Sequence, residues 1–156
     1  MVFRTISTVA LVVLVAFGSV RVAAAQESKE AGGDAKKTDL DNMQGTWSIV
    51  AAEREGKATL VDSIKTMQFI IKGDSFTLTI GEREEKGTLK LNASVKPKSM
   101  DLILGDEHEK AAHGIYELTT GTLKMCWTQD GGERPKEFAT KPDSNMTMFT
   151  LKRETK

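Results

Sequence analysis

Glycines divide most of the chain, from residue 45 to residue 153, into short stretches rich in apolar and β-branched residues. Stretches of this kind, separated by turn residues at regular intervals, are typical of a β-barrel or a β-sandwich. We therefore predict an all-β domain with eight strands. These strands are Thr46–Glu53, Met67–Lys72, Ser75–Ile80, Gly87–Leu91, Met100–Leu104, Gly114–Thr119, Thr122–Thr128 and Met146–Arg153.

Two connections between the predicted strands are short enough to be β-hairpins. Gly73 and Gly121 lie within these connections, where a tight turn needs a positive φ. Strands joined in this way are antiparallel, and the alternation of Phe76, Leu78 and Ile80 with threonines gives the sheet one apolar face. Such a sheet removes its unpaired edges by closing on itself. The sequence thus predicts an eight-stranded antiparallel up-and-down barrel.

One short helix is predicted between the first two strands, at residues 58–65. Its apolar residues Leu60, Val61 and Ile64 have a spacing that favours one face of a helix. A helix at this point is positioned to cover or plug one end of the barrel.

The first 25 residues have the order of a secretory signal peptide. Arg4 precedes an apolar run of 12 residues, Val9–Val20, and three alanines follow at positions 23–25. The run is shorter than the ~20 residues that cross a bilayer as a helix. We expect cleavage near Ala25, export to the periplasm or the extracellular space, and no stable membrane insertion of the mature chain. An uncleaved anchor is the alternative.

Charge and cysteine content exclude two further classes of protein. The chain has 22 basic and 22 acidic residues, and loss of Arg4 and Arg21 with the signal leaves 20 against 22, a net charge of −2. A nucleic-acid partner is not expected, because such partners require a strongly basic surface. A single cysteine excludes an internal disulfide framework.

Residues 26–38 are polar and predict a flexible linker, which leaves residues 39–156 as the folded domain.

A series of short motifs extends along this domain. They are Met43-Gln44-Gly45-Thr46-Trp47, Lys96-Pro97-Lys98-Ser99-Met100-Asp101-Leu102, Gly114-Ile115-Tyr116-Glu117-Leu118, Leu123-Lys124-Met125-Cys126-Trp127, Arg134-Pro135-Lys136-Glu137-Phe138 and Leu151-Lys152-Arg153. With this series the chain resembles a family of uncharacterised exported domains described from planctomycete bacteria, which is regarded as lipocalin-like. The resemblance covers nearly all of residues 39–153.

The resemblance implies a lipocalin-like barrel and export, and it brings no catalytic residues. In lipocalin-type barrels a tryptophan at the base is covered by an arginine from the last strand. This implies a structural role for Gly45 and Trp47, which open the first strand, and for Arg153, which is expected to pack over the Trp47 ring.

Two histidines and one cysteine are the residues best suited to catalysis, but their context favours simpler roles. His108 and His113 are five residues apart, whereas a zinc-protease helix needs a spacing of four. We interpret the segment that contains them as a polar connection between the fifth and sixth strands. The alternative is a loop that gathers them with Asp106 or Glu107 around a metal ion. Cys126 has no histidine near it in sequence, so we expect a half-buried structural residue. We therefore expect no enzyme, no cofactor and no metal site.

Two other segments are interpreted as structural. Glu82, Glu84 and Glu85 are expected in a solvated, charged hairpin turn. Residues 134–138 are either a rim that contacts a ligand or partner, or a fixed connection in which Pro135 sets the turn and Phe138 closes the barrel end. We favour the fixed connection, because long loops often pack on their own side chains.

The leading functional hypothesis is an exported, non-enzymatic, lipocalin-like domain that binds a small apolar or amphipathic molecule inside the barrel. Burial of apolar area would hold such a molecule. The alternative is an interaction or structural module of the cell envelope, with an unidentified protein partner and a barrel filled by its own side chains. The predicted lining residues are Ile49, Phe69, Phe76, Leu78, Leu102, Met125 and Phe149.

Overall fold

One antiparallel sheet organises the part of the chain that the computed structural model describes, residues 38–105 and 111–155. Helical residues 38–43 (α1) precede it. The remaining elements are β1 (Gly45–Arg54), β2 (Lys57–Ala58), α2 (Val61–Ile64), β3 (Met67–Lys72), β4 (Ser75–Ile80), β5 (Arg83–Asn92), β6 (Lys98–Leu104), β7 (Ala112–Thr119), β8 (Thr122–Thr128) and β9 (Met146–Arg153). Neighbouring long strands pair in chain order, and β1 also pairs with β9. The predicted eight-stranded antiparallel barrel is therefore confirmed, with β2 as a two-residue strand beside the end of β1.

The eight long strands match the predicted bounds to within two residues, except at the start of β5. This strand begins at Arg83 and pairs with β4 from that residue onward. Glu84 and Glu85 therefore lie in the sheet, and only Glu82 lies in the predicted turn. Charged residues are tolerated here because ion pairs of 2.8 Å (Arg83–Glu85) and 3.0 Å (Glu84–Lys86) join residues on the same face of the strand.

The helix after β1 is shorter than predicted. Four of the predicted helical residues, 58–60 and 65, lie outside α2. Ala58 belongs to β2, and the Thr59 amide donates to the Ala52 carbonyl at 2.8 Å. Only Ile64 joins the core, while Leu60 and Val61 are 78% and 69% exposed. The helix packs beside the barrel end and does not plug it.

The end of the barrel at which β1 begins is closed by side chains. Trp47 is fully buried, and its indole Nε1 donates to the Met43 carbonyl of α1 at 2.8 Å. The guanidinium of Arg153 lies 4.3 Å from the centre of the Trp47 ring and donates to the carbonyls of Asn42 and Gln44. Arg153 thus covers Trp47 in the arrangement that the sequence resemblance implies. We call this end the base.

Gly45 allows the base to close. Its φ is +116°, and a Cβ at this position would lie 3.3 Å from Arg153 Nη1. Glycine adopts this conformation without steric cost and leaves room for the guanidinium. Beside it, the Gln44 side chain accepts from the Gly73 amide at 2.7 Å and donates to the Gly73 carbonyl at 2.9 Å, which ties the β3–β4 turn to the base.

The N-terminal predictions fall mostly outside the described residues. The signal peptide at residues 1–25 and all of the linker except Thr38 lie there, and Thr38 belongs to α1. Within residues 38–105 and 111–155, no helix has the length and apolar character needed to span a membrane.

Replacing Arg153 with methionine is expected to lower the free energy of unfolding by about 2 kcal/mol. The carbonyls of Asn42 and Gln44 lose their charged donor, and the Trp47 ring loses its cation. Urea unfolding followed by tryptophan fluorescence measures the change. Lys152→Met, at the exposed neighbouring position, is the control and should cost less than ~0.5 kcal/mol. Equal stability of the two variants would contradict the role given to Arg153.

Candidate functional site

The end of the barrel opposite the base contains an open cavity of about 570 Å³. A cavity of this size is within the range of small-molecule sites in proteins. Inward-facing side chains of β3, β4, β6, β7, β8 and β9 supply its apolar wall. They are Met67, Phe69, Phe76, Leu78, Ile80, Leu102, Leu104, Ala112, Trp127 and Phe149.

The predicted lining residues divide into two groups. Phe69, Phe76, Leu78, Leu102 and Phe149 lie in the cavity wall. The other two, Ile49 and Met125, are 4% and 1% exposed and belong to the core, outside the cavity wall. The alternation of a strand assigns a side chain to the inner face, but it does not give the height of that side chain along the barrel axis.

Two aromatic pairs shape the apolar wall. The Phe69 and Phe76 rings stack with centroids 5.3 Å apart, and the Trp127 and Phe149 rings meet edge to face at 4.8 Å. Gly87 of β5 makes room for the first pair, because a Cβ there would lie 2.9 Å from the Phe76 ring. The wall is therefore built of side chains that hold one another in place before any ligand arrives.

Polar side chains border the mouth of the cavity. Arg54, the last residue of β1, donates from Nη2 to Gln129 Oε1 at 3.1 Å. Arg83 and Glu85 form their ion pair on β5, across the barrel from β1 and β9. All four residues line the cavity. The cavity therefore has an apolar interior and a polar mouth.

A β-bulge in β1 brings Arg54 to this mouth. The register between β1 and β9 shifts between Ile49 and Ala51, so one extra residue is inserted in β1. An inserted residue exchanges the two faces of the strand beyond it. After the shift Arg54 lies opposite Thr147 of β9, which also lines the cavity. The regular alternation in the sequence does not place Arg54 there.

The sequence contained signals for two of the lining residues outside the predicted set. Thr147 is two residues from Phe149 in β9, and Trp127 is two residues from Met125 in β8, so each shares the inner face of its strand. Arg83 and Glu85 carried no such signal, because charged residues near a turn are more often solvated.

A polar recess of about 610 Å³ lies at the base. Its border includes Asp39, which already accepts hydrogen bonds from Lys98 Nζ at 2.6 Å and from the Tyr116 hydroxyl at 2.7 Å. Its other charged groups include Arg153, which is bonded to backbone carbonyls. The recess is thus bordered by groups that already stabilise the base, and the open end is the stronger candidate site.

His113 lies in β7 and not in the connecting loop that we predicted. Its Nδ1 is 2.8 Å from Asp101 Oδ1 on β6, and Arg134 Nη2 donates to the same oxygen at 2.7 Å. Arg134 also donates to the carbonyls of Met100 and Gly114. The cluster fixes residues 129–145, the β8–β9 connection, to the outer face of β6 and β7. Burial acts to raise the pKa of Asp101, but the hydrogen bonds and the Arg134 charge outweigh it and lower that pKa.

The metal hypothesis depends largely on residues that the structure does not describe. Asp106, Glu107 and His108 lie outside the described residues, and His113 is bonded to Asp101. In the described part of the chain, no three histidine, cysteine, aspartate or glutamate side chains come together as a metal site.

Cys126 is fully buried, not half-buried as predicted, because the β8–β9 connection covers it on the outer face of β8. Its Sγ lies 3.7 Å from the Ala139 carbonyl oxygen, and burial raises the pKa of the thiol. A raised pKa keeps the thiol protonated, which opposes a role as a nucleophile.

The centre of the Phe138 ring lies 5.2 Å from Lys124 Nζ on the same outer face. Phe138 therefore does not close the barrel end. Residues 134–138 do not line the cavity, and Arg134 attaches this segment to β6 and β7.

Replacing Asp101 with asparagine is expected to lower the free energy of unfolding by about 1–2 kcal/mol near neutral pH. Because the pKa of Asp101 is depressed in the folded chain, its contribution is present above the unfolded pKa of ~3.9. The contribution is lost as the pH falls through the folded pKa. The stability difference between the wild type and Asp101→Asn should therefore shrink in acid, as measured by denaturant unfolding from about pH 7 to about pH 3.

The control for this experiment is Asp62→Asn, which removes an exposed ion pair with Lys65. It should change the stability by less than ~0.5 kcal/mol. A difference between wild type and Asp101→Asn that stays constant with pH would refute the ionic role of Asp101.

Comparison with known proteins gives no further identification. No family model matches the chain, and neither the curated proteins nor the solved structures include a match. The resemblance to the exported planctomycete domains stays a prediction based on the motifs quoted above.

Proposed function

We propose that this domain binds one small molecule with an apolar body in the cavity at the open end of the barrel. The observation that carries the proposal is the cavity itself. An eight-stranded barrel can fill its interior with its own side chains. In this barrel the core closes the base, whereas about 570 Å³ of space remains at the opposite end.

The composition of the wall supports an apolar ligand. Aromatic rings offer a large contact area, and the stacked Phe69–Phe76 and edge-to-face Trp127–Phe149 pairs are held by their mutual packing. Burial of apolar surface contributes about 25 cal/mol per Å². A wall that is already formed loses little conformational entropy on binding, so more of this contribution appears as affinity.

The alternative function is an interaction module of the cell envelope. The observation in its favour is the exposure of two large apolar residues, Leu60 and Val61, just before and at the start of α2. Two side chains are a small patch for a stable protein interface. The cavity is the larger feature, and it favours ligand binding.

The cellular setting is part of the same proposal. We infer export from the signal-peptide pattern of residues 1–25, and a lipocalin-like role from the motif series and the barrel. Nothing in the proposed function requires a catalytic group, and binding by burial needs no cofactor.

Ligand binding is tested with N-phenyl-1-naphthylamine, a neutral fluorophore whose emission rises in apolar surroundings. We expect saturable binding to the wild type and an affinity about tenfold lower or worse for Leu78→Trp, because the larger ring occupies the cavity. Fluorescence titration measures both affinities, and thermal unfolding confirms that the variant is folded.

The matched control is Leu60→Trp, which introduces the same residue at an exposed position outside the cavity wall. It should bind the fluorophore like the wild type. Absence of saturable binding to the wild type, or equal affinities of the two tryptophan variants, would show that the cavity is not a ligand site.

Export is tested by expressing the full chain in a bacterial host and measuring the intact mass of the protein outside the cytoplasm. We expect a mass that begins at Gln26, because the alanines at 23–25 fit signal cleavage. A chain that retains Met1 and stays with the membrane fraction would instead support the uncleaved anchor.

A further inference from the structure

We propose that the ligand is an amphipathic anion, with its charged oxygens at Arg54 and Thr147 and its apolar body against the aromatic wall. This inference rests on the proposed function and names the chemical class of the ligand. Carboxylates, sulfonates and phosphates share the required chemistry, which is a small oxyanion at one end of an apolar skeleton.

The first observation is a buried hydroxyl without a partner. Thr147 is 6% exposed and lies in the cavity wall, and its Oγ1 forms no hydrogen bond with any described residue. Buried polar groups are nearly always paired, and an unpaired one is unfavourable. Oγ1 itself has no appreciable surface open to the cavity, and a χ1 rotation of Thr147 would turn it toward the cavity, where a ligand oxygen would give it an acceptor. The position therefore favours a ligand with a polar end near β9.

The second observation is the charge of Arg54 at the mouth. Arg54 forms no ion pair with a described residue, and its only described hydrogen bond is to the neutral Gln129 side chain. The other arginine of the mouth, Arg83, is already paired with Glu85 at 2.8 Å. Guanidinium groups bind oxyanions through two parallel hydrogen bonds. Arg54 thus has both the charge and the free donors that an anionic group requires.

The acidic residues around the mouth do not reverse this arrangement. Glu53 accepts a hydrogen bond from the Thr140 hydroxyl, and Glu85 is neutralised by Arg83. Asp130 is exposed to solvent, as Arg54 is, so water screens both charges. Arg54 is the charged residue directly opposite Thr147 in the β1–β9 register, whereas Glu53 lies opposite Met148.

The position of these two residues also orients the ligand. Thr147 pairs with Arg54 on one side and with Trp127 on the other, so this residue lies between Arg54 at the mouth and the aromatic wall. An anionic end held at Arg54 and Thr147 leaves the apolar body to extend past Phe149 toward Phe69 and Phe76, which also line the cavity.

A matched pair of fluorophores tests the inference. 8-Anilino-1-naphthalenesulfonate has the skeleton of N-phenyl-1-naphthylamine with an added sulfonate, so the two differ in the oxyanion alone. We expect Arg54→Gln to weaken binding of the sulfonate about tenfold or more. Arg54→Gln should bind the neutral fluorophore with an affinity within about twofold of the wild-type value, because burial of the rings is unchanged.

Thr147→Val provides a second and independent readout. Valine has nearly the same shape and no hydroxyl, so removing an unpaired buried group should keep or raise the thermal unfolding midpoint. The same substitution should weaken the sulfonate about threefold or more, since one hydrogen bond is lost. A purely structural threonine would lower the midpoint and affect the two fluorophores equally.

Lys152→Gln is the charge control, because it removes one positive charge at the base end on the exposed side of β9. It should leave the affinity for both fluorophores unchanged. If Lys152→Gln and Arg54→Gln lose the same sulfonate affinity, the loss reflects the net charge of the protein and not the position of Arg54. That result would overturn the inference. A larger loss in Arg83→Gln than in Arg54→Gln would place the anion on the opposite wall and also overturn it.

The failure of this inference differs from the failure of the proposed function. If both fluorophores bind the wild type and Arg54→Gln changes neither affinity, the cavity takes apolar ligands without recognising an oxyanion. If neither fluorophore binds the wild type, both the ligand class and the proposed function are wrong.

Discussion

The pairing of β1 with β9 is the constraint on which the rest of the structure depends. It turns a meander into a closed barrel, so the edges that β1 and β9 would otherwise expose are hydrogen-bonded to each other. The same register sets Trp47 opposite Arg153 at one end and Arg54 opposite Thr147 at the other. A single set of backbone hydrogen bonds therefore forms both the closed base and the polar mouth.

The two ends of the barrel differ because one of them carries a cap. At the base, α1, the Trp47 ring and the Arg153 guanidinium satisfy one another through hydrogen bonds and a cation–π contact. At the open end, α2 contributes only Ile64 to the core and leaves the cavity uncovered. The functional proposal follows from this asymmetry, since a barrel closed at one end and open at the other can receive a ligand from one direction.

The outer surface is asymmetric for a different reason. The β8–β9 connection folds back over β6, β7 and β8, where Arg134 binds Asp101 and two strand carbonyls. Cys126 and Ile115 are consequently buried on a face that faces solvent elsewhere in the barrel. Arg134 holds the connection in place, so the covered face stabilises the barrel wall. The cluster that includes His113 is part of this packing, although a histidine near carboxylates in sequence also suggested a metal ligand.

The sequence by itself determined the class of fold, the boundaries of most strands and the two glycine hairpins, because period-two alternation and turn residues are local signals. It also indicated which side chains point inward, including Phe69, Phe76 and Phe149. Only the tertiary structure decided how high each inward residue lies along the axis, which separates Ile49 and Met125 in the core from the cavity wall. Only the tertiary structure decided the bulge in β1 that exchanges its faces and brings Arg54 beside Thr147. The physical reason is that local sequence encodes the direction of a side chain, whereas register, bulges and the covering of a face arise from pairing between segments far apart in the chain.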